Sequence, residues 1–269
     1  MTQSFLHRFK FCTKLLFELN NAARDVHVFP DDTFIVSYPK SGNTWLRFLV
    51  ANLIHFNKRV TFANIEYFIP DIYKNTQKDL RRIQRPRLLK SHEYYDPRYK
   101  RLIYLVRDPR DIVMSYYHYH VKVNYIEEEF PLDKYVSHFI EGRLDRFGSW
   151  AEHVGSWRGA KHRDSCFLLV RYEDIHSDAP SELTRIASFL GFDAALAEID
   201  KAILLSNANH MRQLEKREHH LWKSTKNTRQ DKPFVRSAQV GTWRNELPFT
   251  AAKAIEEQWA TQMRSLRYV

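Results

Sequence analysis

The chain is 269 residues long, 43% hydrophobic, and carries a net charge of +10 with two cysteines. That length and apolar content suffice for one buried core, and no linker, repeat or low-complexity tract divides the chain, so a single domain over 1–269 is expected. Two cysteines exclude a disulfide framework and fit a reducing, cytoplasmic setting, while the positive balance favours anionic partners.

Phe5, Leu6, Phe9, Cys12, Leu16 and Leu19 recur at helical spacing, interrupted by Arg8, Lys10, Lys14 and Glu18. This predicts a helical extension over 1–30 packed on the domain, too short and too charged to span a bilayer. Its Phe-rich face beside basic residues makes weak peripheral membrane contact the alternative. Thr33 to Ser37 then reads as a buried strand and Trp45 to Phe56 as a helix. Between them lies Tyr38-Pro39-Lys40-Ser41-Gly42-Asn43-Thr44-Trp45. A strand turning through Lys-Ser-Gly into a helix makes an anion site, because the first turn has unpaired N–H groups and the positive end of the helix dipole. Gly42 lets backbone approach a ligand, Ser41 and Thr44 offer hydroxyls, and Lys40 adds a charge. The common nucleotide loop, G-x-x-x-x-G-K-[ST], sets its lysine after the second glycine. Here Lys40 precedes Gly42, which weakens a nucleoside-triphosphatase reading. A turn needing glycine for geometry alone is the bland alternative.

Asn57 to Gln84 follows as a long polar-aromatic connection of the kind that walls a substrate site. Arg81, Arg82, Arg85 and Arg87 form the densest basic cluster, read as a solvated face or an acceptor-site rim. No nucleic-acid module accompanies it, so no nucleic-acid partner is expected. Further strands are predicted at Arg87 to Lys90, Leu102 to Val106 and Cys166 to Val170, with Cys166 a small buried hydrophobe. Asp108 and Pro109 start a helix through Ile112 to Tyr119, and Val121 to Phe147 is a second long connection. Asp178 starts a helix with Leu183, Ile186, Ala187 and Leu190 on its apolar face and Gly191 as its stop; a last helix runs from about Thr250 to Arg267. His118/His120 and His219/His220 lack a supporting Cys or carboxylate pattern, so no metal site is expected. Strands alternating with helices predict an α/β fold, a mostly parallel central sheet flanked by helices, with ligands beyond the C-terminal strand edge.

Taken together, these blocks resemble the cytosolic-type sulfotransferases that use 3′-phosphoadenosine 5′-phosphosulfate (PAPS). The resemblance is carried by Tyr38 to Trp45, Leu89-Lys90-Ser91-His92, Leu102 to His118, Phe147 to Val154, Arg171 to Ile175 and Phe234 to Trp243, in the family's order. It implies a P-loop NTPase-like sulfotransferase fold, PAPS as co-substrate with PAP as product, no metal requirement, and a hydroxyl-bearing acceptor. Sulfuryl transfer needs a base for the hydroxyl, cations at the leaving oxygen, and alignment of both. By resemblance His92 is the base, Lys40 serves the 5′-phosphate and bridging oxygen, and Lys90 the sulfuryl oxygens. Ser41, Gly42, Asn43 and Thr44 match the donors to the 5′-phosphate. Arg107, Ser115 and Arg236 match the readers of the 3′-phosphate, although Ser237-Ala238 stands where many relatives have Lys-Gly. Trp45 and Tyr172 match the adenine slot; Ser206 to Met211 matches a further adenine segment, with Ala208 replacing its usual Phe. Tyr94, Tyr95, Tyr116, Tyr117, His118, Tyr119 and His120 either line an acceptor pocket or pack in the core.

Each assignment has a bland alternative: a solvent-facing His92, a surface salt bridge for Lys90, an ion pair of Arg107 with Asp108 or Asp111, and core packing of Tyr172. Competing functions are a nucleotide kinase or phosphatase, which would fail under chelation, and an inactive nucleotide- or nucleic-acid-binding protein. The acceptor, whether small molecule, lipid or carbohydrate, stays open, with Arg81 to Arg87 tilting towards an acidic or carbohydrate one. Oligomeric state is open too, since Arg244 to Glu257 only loosely resembles the family's dimer motif.

Overall fold

The structure, a computed structural model, describes residues 21–269. The amphipathic pattern of the first twenty residues, with Cys12, lies outside them. In chain order the elements are β1 Thr33–Ser37, α1 Asn43–Ile54, α2 Ile65–Phe68, α3 Gln77–Arg81, β2 Leu88–Ser91, β3 Arg101–Val106, α4 Pro109–Lys122, α5 Leu132–Ile140 and α6 Trp150–Lys161. There follow β4 Phe167–Arg171, α7 Tyr172–Ser177, α8 Ala179–Leu190, α9 Leu196–Ser206, α10 Ala208–Glu218, α11 Trp243–Glu246, α12 Phe249–Gln258 and α13 Ala260–Ser265.

The four apolar runs pair as one parallel sheet in the order β2-β1-β3-β4. Parallel strands are covered on both faces, so period-two alternation here sorts residues between two cores rather than between core and solvent. Phe34, Val36, Leu102, Tyr104 and Val106 enter one cluster with Ile112 and Val113 of α4 and Trp150 and Trp157 of α6. Ile35, Ile103, Leu105 and Val170 enter the other with Leu46, Leu49 and Val50 of α1 and Leu183 and Ile186 of α8. Each such side chain contributes roughly 1.5–3 kcal/mol by leaving water.

The chain leaves β1 for β2 on one side and returns to β3 on the other. That reversal opens a crevice beyond the carboxyl ends of β1 and β3, where ligands of such sheets bind. Residues 38–42 follow β1, His92 follows β2 and Arg107 follows β3, so all three reach one edge. Local signals set the helix starts. Asp108 accepts from Arg110 N at 2.9 Å with Pro109 behind it, Asp178 accepts from Ser181 N, and Ser149 with Glu152 forms a reciprocal capping box.

Several expectations need correction. The last helix is two, because Trp259 (φ −120°) turns the chain to pack its ring against Trp150 and Phe139 at 5.4 and 5.2 Å. The connections 57–84 and 121–147 carry α2, α3 and α5, the last burying Tyr135, Val136 and Phe139. Cys166 is exposed, since β4 begins one residue later. Arg87 is no rim residue either. It precedes β2 at the far end of the sheet, and its fully buried guanidinium bonds both oxygens of Asp32 (2.8 and 2.5 Å) and the carbonyls of His27 and Leu80. Arg85 pairs with Asp31 at the surface, so at least Arg85 and Arg87 are engaged within the protein. Among the described residues no helix is long and apolar enough to cross a membrane.

Candidate active site

Gly42 caps α1 with φ +95°, and a Cβ there would fall 2.5 Å from the Tyr172 ring, so conformation and space both demand glycine. Ser41 is buried with no hydrogen-bond partner for its Oγ among the described residues. A buried orphan hydroxyl costs about 1–3 kcal/mol unless a ligand takes it up. With the open first turn of α1 it forms a donor cradle that fits a phosphate. Thr44 is half-buried in the same turn. Asn43 departs from expectation: its side-chain amide donates inward to Ser37 Oγ at 3.1 Å, leaving only its main-chain N–H for a ligand.

Lys40, itself at φ +66°, holds its ammonium over the rings of Tyr119 (4.2 Å) and Phe234 (4.7 Å). Burial first, then Arg107 and Arg236, pushes its pKa down to about 7. The sequence gives neither ring this role: Tyr119 is one of seven clustered aromatics and Phe234 only opens a block of the family resemblance.

The cations at the opposite end are already engaged. Arg107 bonds the Gln239 carbonyl at 3.0 Å, lies 3.7 Å from Asp111, stacks over Tyr172 at 4.2 Å and keeps a buried, unpartnered Nε. The ion-pair alternative thus coexists with a donor still to be satisfied. Asp111 also accepts from Gly241 N, Thr242 Oγ1 and Trp243 N, which fastens that segment to α4. Arg236 Nη1 sits on both oxygens of Glu246 (2.7 and 2.8 Å), to which His118 also adds a contact at 3.1 Å. Ser115 is half-buried on α4, two turns beyond Arg107. The backbone of 235–237 is tied by Arg212 to the carbonyls of Val235, Arg236 and Ser237. Ala238 has φ +52°, a left-handed conformation that costs a Cβ-bearing residue about 1–2 kcal/mol.

Trp45, expected at the adenine slot, meets Tyr172 edge-on at 5.2 Å and His176 at 4.9 Å. Ser206 closes α9 and Met211 lies in α10. Both are buried, and Ser206 accepts from Trp45 Nε1 through its carbonyl (3.0 Å) and from Asn52 through its hydroxyl (3.1 Å). Ser206 thus braces the indole through its carbonyl.

His92 is held at three points. Its Nδ1 lies 2.7 Å from the Ser37 carbonyl; since a carbonyl only accepts, Nδ1 carries the proton and Nε2 the lone pair. Its N–H donates to Tyr73 Oη at 3.0 Å, and its carbonyl accepts from His153 Nε2 at 2.9 Å. His153 in turn accepts at Nδ1 from Tyr104 Oη, 2.8 Å away. One turn on, Trp157 Nε1 donates to the Glu93 carbonyl at 2.9 Å, and Ser156 Oγ accepts from Tyr95 N at 3.2 Å. One face of α6 therefore clamps residues 92–95. Burial, reinforced by Lys90, holds His92 well below the ordinary histidine range, so its ring is neutral at pH 7. Asn43 joins this arrangement through Ser37, whose carbonyl orients the imidazole. Lys90 is buried and paired with Asp71 at 2.9 Å, beside the Tyr73 ring, with its pKa lowered to about 8 chiefly by burial. The ion pair anticipated for it is real, but internal. Of the clustered aromatics, Tyr116 bonds Asp145 and Tyr117 the carbonyls of Glu128 and Phe130, which is packing; Tyr94 lies against His153.

The family described as Sulfotransferase domain matches residues 30–267. Sulfotransferase 1E1 of Rattus norvegicus is 29% identical over 260 residues, covering 89% of this chain and 87% of that protein. The 3-beta-hydroxysteroid sulfotransferase of Cavia porcellus is 30% identical, covering 89% and 85%. Mouse sulfotransferase SULT7A1, solved in complex with PAP, superposes with a TM-score of 0.72 at 26% identity, covering 93% of this chain and 90% of that one.

Proposed function

The chain belongs to the sulfotransferase family and is a PAPS-dependent enzyme; from that premise we propose that it moves the sulfuryl group in line to a hydroxyl acceptor, with His92 as the base. The observation that carries this reading is the Nδ1–H donation from His92 to the Ser37 carbonyl, which leaves the lone pair on Nε2. Nε2 takes the acceptor's proton as its oxygen bonds sulfur and the bond from sulfur to the 5′-phosphate oxygen breaks. Lys40 neutralises the charge arriving on that oxygen, beside the Ser41 and α1 donors. Arg107, Ser115 and Arg236 receive the 3′-phosphate, Arg236 exchanging Glu246 for it. Trp45 and Tyr172 hold the adenine. Lys90 reaches the sulfuryl oxygens by leaving Asp71 or, while paired, fixes the β2 end. The same reading puts the enzyme in the cytoplasm, in keeping with a chain of only two cysteines. Replacing His92 with Ala should lower turnover about 100-fold or more while PAP binding by calorimetry stays intact. Near-normal turnover by that variant would refute the base assignment.

A further inference from the structure

Beyond Glu93 lies a cavity of about 400 Å³ lined by Arg24, Glu93, Tyr94, Tyr95, Asp96 and Arg146. Four of its six walls carry formal charge, and the other two end in phenol hydroxyls. Two of its lining residues, Glu93 and Tyr94, follow His92 in the chain, and the Arg146 guanidinium sits over the rings of Tyr73 (4.8 Å) and Phe147 (5.2 Å). Those rings flank His92, Tyr73 nearly parallel at 6.1 Å and Phe147 edge-on at 5.6 Å. Tyr73 and Phe147 also meet each other at 5.6 Å.

Resting on the sulfotransferase reading, we propose that the acceptor is a small hydroxylated aromatic bearing an anionic group, and that Arg146 is the residue that selects it. Asp96 is neutralised by Arg98, which bonds both its oxygens, and Glu93 accepts from Tyr73 Oη at 3.0 Å. Among the described residues no carboxylate lies within ion-pairing distance of Arg146. Within the lining the charges balance, Arg24 and Arg146 against Glu93 and Asp96, and Asp145 feels Arg146 through space; what Arg146 lacks is a carboxylate close enough to pair with. The exposed Arg146 side chain rests over two aromatic rings, and its planar guanidinium can bond a carboxylate or phosphate in bidentate fashion. An uncharged steroid would instead offer nothing to the Arg146 guanidinium, which would lose water with no partner in exchange. The volume, at the low end for small-molecule pockets, also favours a compact acceptor.

The test compares kcat/KM for 4-hydroxybenzoate, 4-cresol, tyramine and a 3β-hydroxysteroid, in the wild type and in Arg146→Gln and Arg146→Lys. The wild type should prefer 4-hydroxybenzoate over 4-cresol by about tenfold or more. Arg146→Gln should bring that ratio near one, and Arg146→Lys should restore it in part, with PAP affinity equal in all three. A preference for tyramine or the steroid, turnover of none of the four by PAP-binding enzyme, or an anion preference that survives Arg146→Gln would each overturn the proposal. Failure to bind PAP at all would instead strike the sulfotransferase reading beneath it.

Discussion

A lysine that serves a phosphate does so only when protonated, and Lys40, proposed for the 5′-phosphate, titrates where that condition changes with pH. Its ammonium, desolvated and repelled by Arg107 and Arg236, titrates near pH 7 in the free protein. A bound 5′-phosphate favours the charged form and raises that pKa, so binding above pH 7 takes up a proton. The sign follows: PAP affinity should fall as pH rises, with log K approaching a slope of about −1 per pH unit above 7.5 until the bound-state pKa is reached. Calorimetry in buffers of different ionisation enthalpy reads both the slope and the proton count. Lys40→Arg should flatten the slope, because guanidinium does not titrate there; a pH-independent affinity in the wild type would show that Lys40 does not meet the phosphate.

At the scale of elements, α6 matters more than its block of residues suggested. His153 and Trp157, four residues apart on one face, donate to the successive carbonyls of His92 and Glu93. A His153→Phe change keeps the bulk but leaves the His92 carbonyl and Tyr104 hydroxyl without partners. It should reduce kcat about tenfold, with KM for PAPS little altered, and His153→Gln, which preserves one donor and one acceptor, should recover most of the loss. A loss of stability with kcat per folded molecule unchanged would make His153 structural only. The signal for this clamp was present in Phe147 to Val154, yet nothing in that stretch names the carbonyl 61 residues away that receives the proton. Strands and caps were legible because their causes are local: Thr33–Ser37 matched in full, and Asp108, Asp178 and Gly191 sit at the helix ends they marked. The break at Trp259 was not legible, since it comes from rings on α5 and α6 that claim the indole.

For the whole molecule, the sheet separates function from support. The site occupies the carboxyl ends of the strands, while Arg87 and Asp32 form a fully buried pair at the other end. Arg87→Met would strand the Asp32 charge and should destabilise the fold by about 3–5 kcal/mol in denaturant unfolding. Turnover per folded molecule should be unchanged; a matching loss of turnover in the folded fraction would mean that the far end of the sheet governs the site.

The sequence by itself determined which chemistry is present and at which strand ends it sits: a Lys-Ser-Gly turn after β1, a histidine after β2 and an arginine after β3 are dictated by neighbours along the chain. Only the tertiary structure decided what each of those groups holds while it waits. Lys90 is paired with Asp71, Arg236 with Glu246, Asn43 turned to Ser37, and Ser206 bonded to Trp45. Hydrogen bonds and ion pairs form between atoms that folding brings within about 3 Å, and distance along the chain does not encode that proximity.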